Sequence, residues 1–388
     1  MATTHVSNPP KLGLLTIPGE IRNIIYRMLL TKPYAYQQKA DKYAPLHPAI
    51  LQTNRQINEE ATNILHGENI WIIAKIDTIW PLIASGVSIV SWKDASNIKF
   101  PALHINFAVS TSAENPQSQI TLIMGEEGIE YFLRALWNSS SNANTKEAFK
   151  ASWLHLVLCE TPFHTQSKLQ SLCLQPFGLV RGLRGLNIRG PVETACINEI
   201  LYRPESRIEA MAQIQSVSQA YLDKGDEAYF AGEPQRACAQ YAHGSAFLKH
   251  MCSQVLKGAA RPPLNVLASA FSSHYARAVL ACGHYKKARK FGKELLESAN
   301  VLPSKVQVHL GLCTARAHRA LGEGEDESRL FESALNASDD NSTVIIALAE
   351  LFPNAAPEQV ALLVEQQGIL QRGEAVDVDV IRAFWEAV

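Results

Sequence analysis

No run of five or more basic residues occurs in this 388-residue chain, and its 36 lysines and arginines face 37 aspartates and glutamates, a formal net charge of −1. Proteins that hold a phosphate backbone or an anionic bilayer surface concentrate cationic side chains. Neither nucleic acid nor membrane is therefore expected as a partner. No stretch approaches the roughly eighteen consecutive apolar residues of a membrane-spanning helix. Met1 to Lys11 is polar and holds no apolar signal-peptide core, so an intracellular protein, of the cytoplasm or nucleus, is expected.

Cysteine is scarce and scattered. Cys159, Cys173, Cys196, Cys238, Cys252, Cys282 and Cys313 include no Cys-x-x-Cys pair, and each sits inside an apolar pattern. They read as reduced, small core residues. The histidines form no His-Glu-x-x-His motif; His243 and His250 are seven apart, and His104 and His155 belong to separate strand-like runs. Nucleophile-elbow, phosphate-loop and dinucleotide-binding glycine motifs are missing. Gly182 and Gly185 lie near Leu186 without the strand-before, helix-after context, and the carboxylate pairs Glu59-Glu60 and Glu126-Glu127 read as solvated helix and turn charges. No catalytic residue, cofactor or metal is expected, and the protein reads as a non-enzyme.

What is present is enough apolar material, 47% of residues against 19% charged, to bury ordinary cores in two or three domains. The most informative stretch runs from Leu14 to Leu30. Pro18 suits a first helical turn, Thr16 is placed to cap it, and Glu20 favours the helix dipole. Ile21, Ile24, Ile25, Met28 and Leu29 then form a helical stripe, with Arg22, Asn23 and Arg27 on the other side.

A second helical segment is expected from near Pro48, striped by Ile50, Leu51, Asn54, Ile57, Ala61, Ile64 and Leu65 and ended by Gly67. The run Ile17-Pro18-Gly19-Glu20-Ile21, with Arg22-Asn23 and Ile25-Tyr26 after it, resembles the F-box-like head of fungal proteins. The stretches 46–61, ending Asn54-Arg55-Gln56-Ile57-Asn58-Glu59-Glu60-Ala61, and Gly67-Glu68-Asn69 resemble that head's second signature, with Asn54 where a cysteine is usual. The resemblance covers roughly the first 75 residues. It implies docking to a SKP-type linker of a cullin ligase through Ile17, Pro18, Ile21, Ile24, Ile25, Leu29 and Leu51.

Beyond residue 69 the period changes. Strands are expected near 69–73, at Leu103–Val109, 119–124, 153–159 and 183–189, with helices at 128–138 and around 168–180 and a loop at 139–144. The triplets Leu103-His104-Ile105, Leu154-His155-Leu156 and Leu186-Asn187-Ile188, separated by helical connections, argue for parallel strands. Their spacing is too irregular for a leucine-rich-repeat array. Residues 193–207 read as a connector.

The remainder is helical. Three segments each end one helix on Gly232, Gly283 or Gly322 and begin another within four residues. Small residues recur where two helices must approach: Ala237, Ala288 and Ala334. This resembles tetratricopeptide repeats, with spacings stretched beyond about 34 residues and Glu327 replacing an expected alanine in the third copy. The resemblance places Asp226, Tyr229, Arg277, Arg316 and Arg319 along a concave groove. Arginines there suit an acidic peptide or a C-terminal carboxylate, although local ion pairs account for them more simply. Asp226, His274 and Cys313 stand where the chaperone-binding subclass carries Asn, Asn and Arg, so chaperone tails are not expected.

The expected fold is α+β, mostly α: a flexible tail at 1–11, an F-box-like helical head at 12–68, an α/β middle domain at 69–192, a linker at 193–207, tetratricopeptide-like repeats at 208–342 and a helical cap at 343–388. The expected function is a non-enzymatic protein-interaction adaptor, docking to a ubiquitin ligase through the head and binding an unidentified client through the α/β and repeat regions. The competing expectation is a scaffold whose head helices are merely core.

Overall fold

The chain forms two compact units, Met1–Arg203 and Pro204–Val388. The computed structural model describes residues 13–31, 48–77, 85, 100–109, 120–202, 207–255, 262–297, 302–338, 341–352, 355–371 and 377–388. The tail expected at 1–11 lies outside the described residues. The fold is mostly helical, with a small mixed sheet in the first unit and a helical carboxyl-terminal unit.

The first unit opens on a short turn at Leu14–Thr16, helix α1 (Gly19–Leu30), a second turn at Pro48–Gln52 and helix α2 (Arg55–Gly67). Thr16 does not cap α1: its hydroxyl donates back to the Gly13 carbonyl at 2.7 Å. Pro18 takes the cap position instead, and its carbonyl accepts from the Ile21 and Arg22 N–H groups. Asn54, expected within the stripe of the second helix, stands just outside it. Its Oδ1 accepts the Ile57 N–H at 2.9 Å, so the helix starts at Arg55 rather than near Pro48. Losing a cap of this kind costs about 1 kcal/mol. Asn54→Ala should lower the urea midpoint by the equivalent of that amount, while Asn54→Asp, which keeps the acceptor, should stay close to wild type.

Tyr26 and Leu30 pack on Ile57, Ala61 and Ile64, with Leu14, Leu29, Ile50, Leu51 and Leu65 partly buried around them. Asn69 and Trp71 then tie down the end of α2: Asn69 Nδ2 donates to the Leu65 carbonyl at 2.8 Å and Trp71 Nε1 donates to the same carbonyl at 3.0 Å. Such side chains satisfy acceptors that a helix end leaves unpaired.

Strands β1 (Trp71–Ile76), β2 (Leu103–Val109), β3 (Ile120–Gly125), β4 (Ser152–Leu158) and β5 (Gly185–Arg189) form one sheet in the order β3-β1-β2-β4-β5. The expectation of parallel strands holds for β4 and β5, where Leu154 faces Leu186, but not for β2 and β4. These run antiparallel, with Leu103 opposite Leu158. Alternation fixes which side of a strand is buried and is silent on its direction. Leu103, Ile105, Leu122, Met124, Leu154, Leu156 and Leu158 are buried on one side, while Trp153 and Val157 emerge on the other.

Helix α3 (Gly128–Ser141) runs three residues further than expected, into the serine run. Ser140 and Ser141 donate their hydroxyls to the Trp137 carbonyl, a back-bond open to serine within a helix. After the short helix α4 (Lys146–Lys150), the 166–179 stretch is a broken helix. Its α-helical start is α5 (Gln166–Leu169), followed by a π turn at Gln170–Leu174 and a 3-10 turn at Gln175–Leu179. The connector expected at 193–207 contains helix α6 (Thr194–Leu201), which buries Cys196 and Ile200.

The second unit is built of hairpins: α7 (Arg207–Phe230) with α8 (Pro234–Gln254), α9 (Pro262–Ala281) with α10 (Tyr285–Glu297), and α11 (Ser304–Ala320) with α12 (Gly324–Asn336). Each turns on the same device. Gly232, Gly283 and Gly322 have φ of +79°, +74° and +77°. The next residue's N–H reaches back to a carbonyl five positions earlier, Glu233 to Ala228, His284 to Val279 and Glu323 to His318. This Schellman closure favours glycine because an L side chain is strained at positive φ. Ala237, Ala288 and Ala334 are buried at the helix crossings. Helices α7, α9 and α11 neighbour one another in that order, and α13 (Ser342–Leu351) packs next to α11. Helices α14 (Pro357–Gln371) and α15 (Val378–Ala387) follow.

Candidate functional site

Helix α1 turns Arg22, Tyr26 and Leu30 inward and leaves an apolar ridge outside. Arg22, expected on the side of α1 opposite the apolar stripe, is buried. The reason lies on α2. Arg22 Nε and Nη2 grip both oxygens of Glu60 at 2.9 and 2.6 Å, and Arg22 Nη1 donates to the Ile17 carbonyl at 2.6 Å. Tyr26 donates its hydroxyl to Glu60 at 2.9 Å, and Gln56 adds a further donor at 2.9 Å. A bidentate guanidinium–carboxylate pair is among the stronger polar contacts available to a protein. The Arg22 guanidinium, with Gln56 beside it, holds the Glu60 carboxyl down to about 2. Glu60 is therefore not the solvated charge expected from sequence, while its neighbour Glu59 pairs with Arg55 at the surface.

With Arg22, Tyr26 and Leu30 facing α2, the residues at the intervening positions point away. Ile21 is 47% exposed, Ile24 51% and Met28 77%, and Leu15 just upstream is 45% exposed. Steps of three and four place Ile21, Ile24 and Met28 on one ridge. Ile17 and Ile25 are half-buried and Pro18 is exposed. Leu29 and Leu51, expected to meet a partner, instead pack partly on the head's own core. Arg27, beside the ridge, pairs with Glu68. The sequence reading of the head missed Glu60 and the inward turn of Tyr26. The only signal for either was an arginine and a tyrosine one helical turn apart.

In the second unit the residues expected along an open groove all converge, but on the chain itself. Arg277 on α9 is 2% exposed. Its guanidinium donates to Asp226 at 2.7 Å and to Glu350 at 2.6 Å and lies 4.3 Å from the Tyr229 ring centroid. Asp226 also accepts from the Tyr241 hydroxyl at 2.6 Å and pairs with His274 Nδ1 at 2.9 Å. Tyr229 donates to the Glu350 carbonyl at 3.2 Å. Arg316 donates to the Leu351 carbonyl and stacks 4.0 Å from the Phe352 ring centroid. Arg319 donates to Glu327 and to the Trp385 carbonyl, both at 2.7 Å. Residues 350–352, at the end of α13, and Trp385 on α15 thus engage the arginines within the chain, as the simpler ion-pair expectation had it, although the partners are distant in sequence. Glu327, out of pattern for the repeat, accepts from both Arg319 and the Trp385 indole N–H.

His309 sits within this cluster, its Nδ1 3.8 Å from Glu350. Burial, reinforced by the nearby Arg277 charge, pushes it down to about 3 from 6.5. The unfolded chain takes up a proton near pH 6.5 that native His309 refuses until about 3. Stability is therefore lost as pH falls through that window. Between pH 6 and 5, His309→Gln should remove a slope approaching about 1.4 kcal/mol per pH unit. Urea unfolding at stepped pH measures it.

Among the described residues no group of three or more His, Cys, Asp or Glu side chains is placed to hold a metal ion. No described helix is long and apolar enough to cross a membrane. The chain matches no protein-family model, no curated protein and no solved structure.

Proposed function

We propose that the protein is a non-enzymatic interaction adaptor that docks through the ridge of α1. The partner this reading names is a SKP-type linker of a cullin-type ubiquitin ligase, and the ligase rather than this chain would carry the ubiquitin chemistry. One observation carries the reading: α1 spends Arg22 and Tyr26 on its own neighbour and leaves Ile21, Ile24 and Met28 uncovered. A solvated helix ordinarily keeps its exposed face polar, and neighbouring exposed apolar side chains are the material of an interaction surface. The paired motifs at 17–29 and 46–69 give that polypeptide its proposed identity.

The helical unit serves in this reading as the client-recruiting part. The common glycine closure of its three hairpins supports a tetratricopeptide-like stack. Since Arg277, Arg316 and Arg319 are engaged by residues 350–352, Glu327 and Trp385, the client is placed on surfaces other than that inner face. The scaffold reading needs the isoleucines covered, and their exposure favours the adaptor. Co-expression of the full chain with a SKP-type linker, followed by gel filtration, tests the proposal. Co-elution that disappears in a folded Ile21→Asp/Ile24→Asp variant supports it. Separate elution of the wild-type proteins overturns it.

A further inference from the structure

Two cysteines far apart in sequence meet in the second unit. Cys238 lies on α8 and is buried; Cys282 is the half-buried residue that closes α9 just before Gly283. Their sulfurs stand 4.0 Å apart across 44 residues of chain. A disulfide needs about 2.05 Å, so linking the two asks the sulfurs to close a gap of about 2 Å.

The two thiols are chemically unequal. Cys282 reaches solvent while Cys238 is buried, and the Cys282 thiol is drawn down by its contact with Cys238, in which either sulfur can donate, and by the Lys287 ammonium. Cys238 is driven upward by that same contact and by burial. An accessible sulfur within 4.0 Å of a second, sheltered thiol is the arrangement of an attacking cysteine with its resolving partner.

We propose that Cys238 and Cys282 are an oxidative modification site, forming a reversible disulfide when the protein meets a hydroperoxide. The Cys282 thiol releases its proton and the thiolate attacks the peroxide; an S–O bond forms, the O–O bond breaks, and the departing oxygen takes up the released proton and leaves as an alcohol, or as water from hydrogen peroxide. Cys238 then gives up its proton and attacks the Cys282 sulfenic acid. The S–S bond forms, the S–O bond breaks, and water leaves with that proton. Each sulfur is oxidised by one electron and the peroxide is reduced by two. The product staples α8 to the glycine-closed end of α9, joining the first hairpin to the second. The site is independent of the docking ridge.

The test is made on the full chain. Folded protein is titrated with hydrogen peroxide, remaining thiols are alkylated after denaturation, and peptides are mapped by mass spectrometry. The expected result is one dithiothreitol-reversible Cys238–Cys282 link, formed while Cys159, Cys173, Cys196, Cys252 and Cys313 remain alkylatable. Cys238→Ser should abolish the link and leave a sulfenic acid at Cys282, trapped by dimedone. Cys282→Ser should leave Cys238 unoxidised. Linkage of either cysteine to Cys252 or Cys313, oxidation of the other thiols at the same peroxide dose, or equal Cys238–Cys282 linkage in urea-unfolded protein would overturn it.

Discussion

Arg277→Ala is expected to destabilise the second unit by about 3–5 kcal/mol, the range found when one member of a buried charge cluster is removed. The loss exceeds that of an ordinary truncation because of what stays behind. Asp226 keeps Tyr241 and His274 but loses its permanent cation, and Glu350 loses its close guanidinium partner. The rings of Tyr229 and Phe230 lose the planar charge lying against them. For a unit of this size the shift corresponds to a melting point lower by about 10 °C. The mechanism also predicts strong non-additivity. Arg277→Met combined with Asp226→Asn and Glu350→Gln removes the cation and both anions together and should cost less than Arg277→Ala alone. Denaturant unfolding of the two variants side by side reads the difference. A triple variant less stable than the single would show that packing, not stranded charge, dominates.

The second large effect falls on binding and spares stability. Ile21→Asp with Ile24→Asp puts two carboxylates on a surface already open to water, away from Tyr26, Leu30 and the α2 residues that form the head's core. Circular dichroism and urea midpoint should stay close to wild type, since exposed substitutions of this kind usually change stability by less than about 0.5 kcal/mol. Docking to the linker should weaken at least about 100-fold, because each isoleucine withheld from an apolar interface forfeits about 1.5 kcal/mol or more and each introduced charge must be desolvated. Arg22→Ala should behave oppositely. It breaks the grip on Glu60 and loosens the head itself, so binding and stability fall together.

The sequence carried the stripe of α1, the alternation of the strands and the three glycine turns, since each is a local pattern with a local cause. It did not carry the orientation of α1. Ile21, Ile24 and Met28 offer one plausible inward face, and Tyr26 with Leu30 offers another. The choice is made by Glu60, 38 residues further along, which helical periodicity does not register. Strand direction escaped for a related reason: Leu154 is buried whichever way β4 runs, and the chain reaches β4 from β2 by way of β3, α3 and α4. The groove arginines were located as a group but not their company. Their partners Glu350, Leu351 and Trp385 lie in the carboxyl-terminal helices, whose amphipathic stripes say that they pack without saying on what.

The ridge of α1 is proposed as a docking surface for a SKP-type linker. Isothermal titration of purified linker into the full chain measures it most directly. The account predicts saturable one-to-one binding, weakened at least about 100-fold by Ile21→Asp/Ile24→Asp with the fold intact. Binding of equal strength to wild type and to that folded variant, or no binding to the wild type, would contradict it.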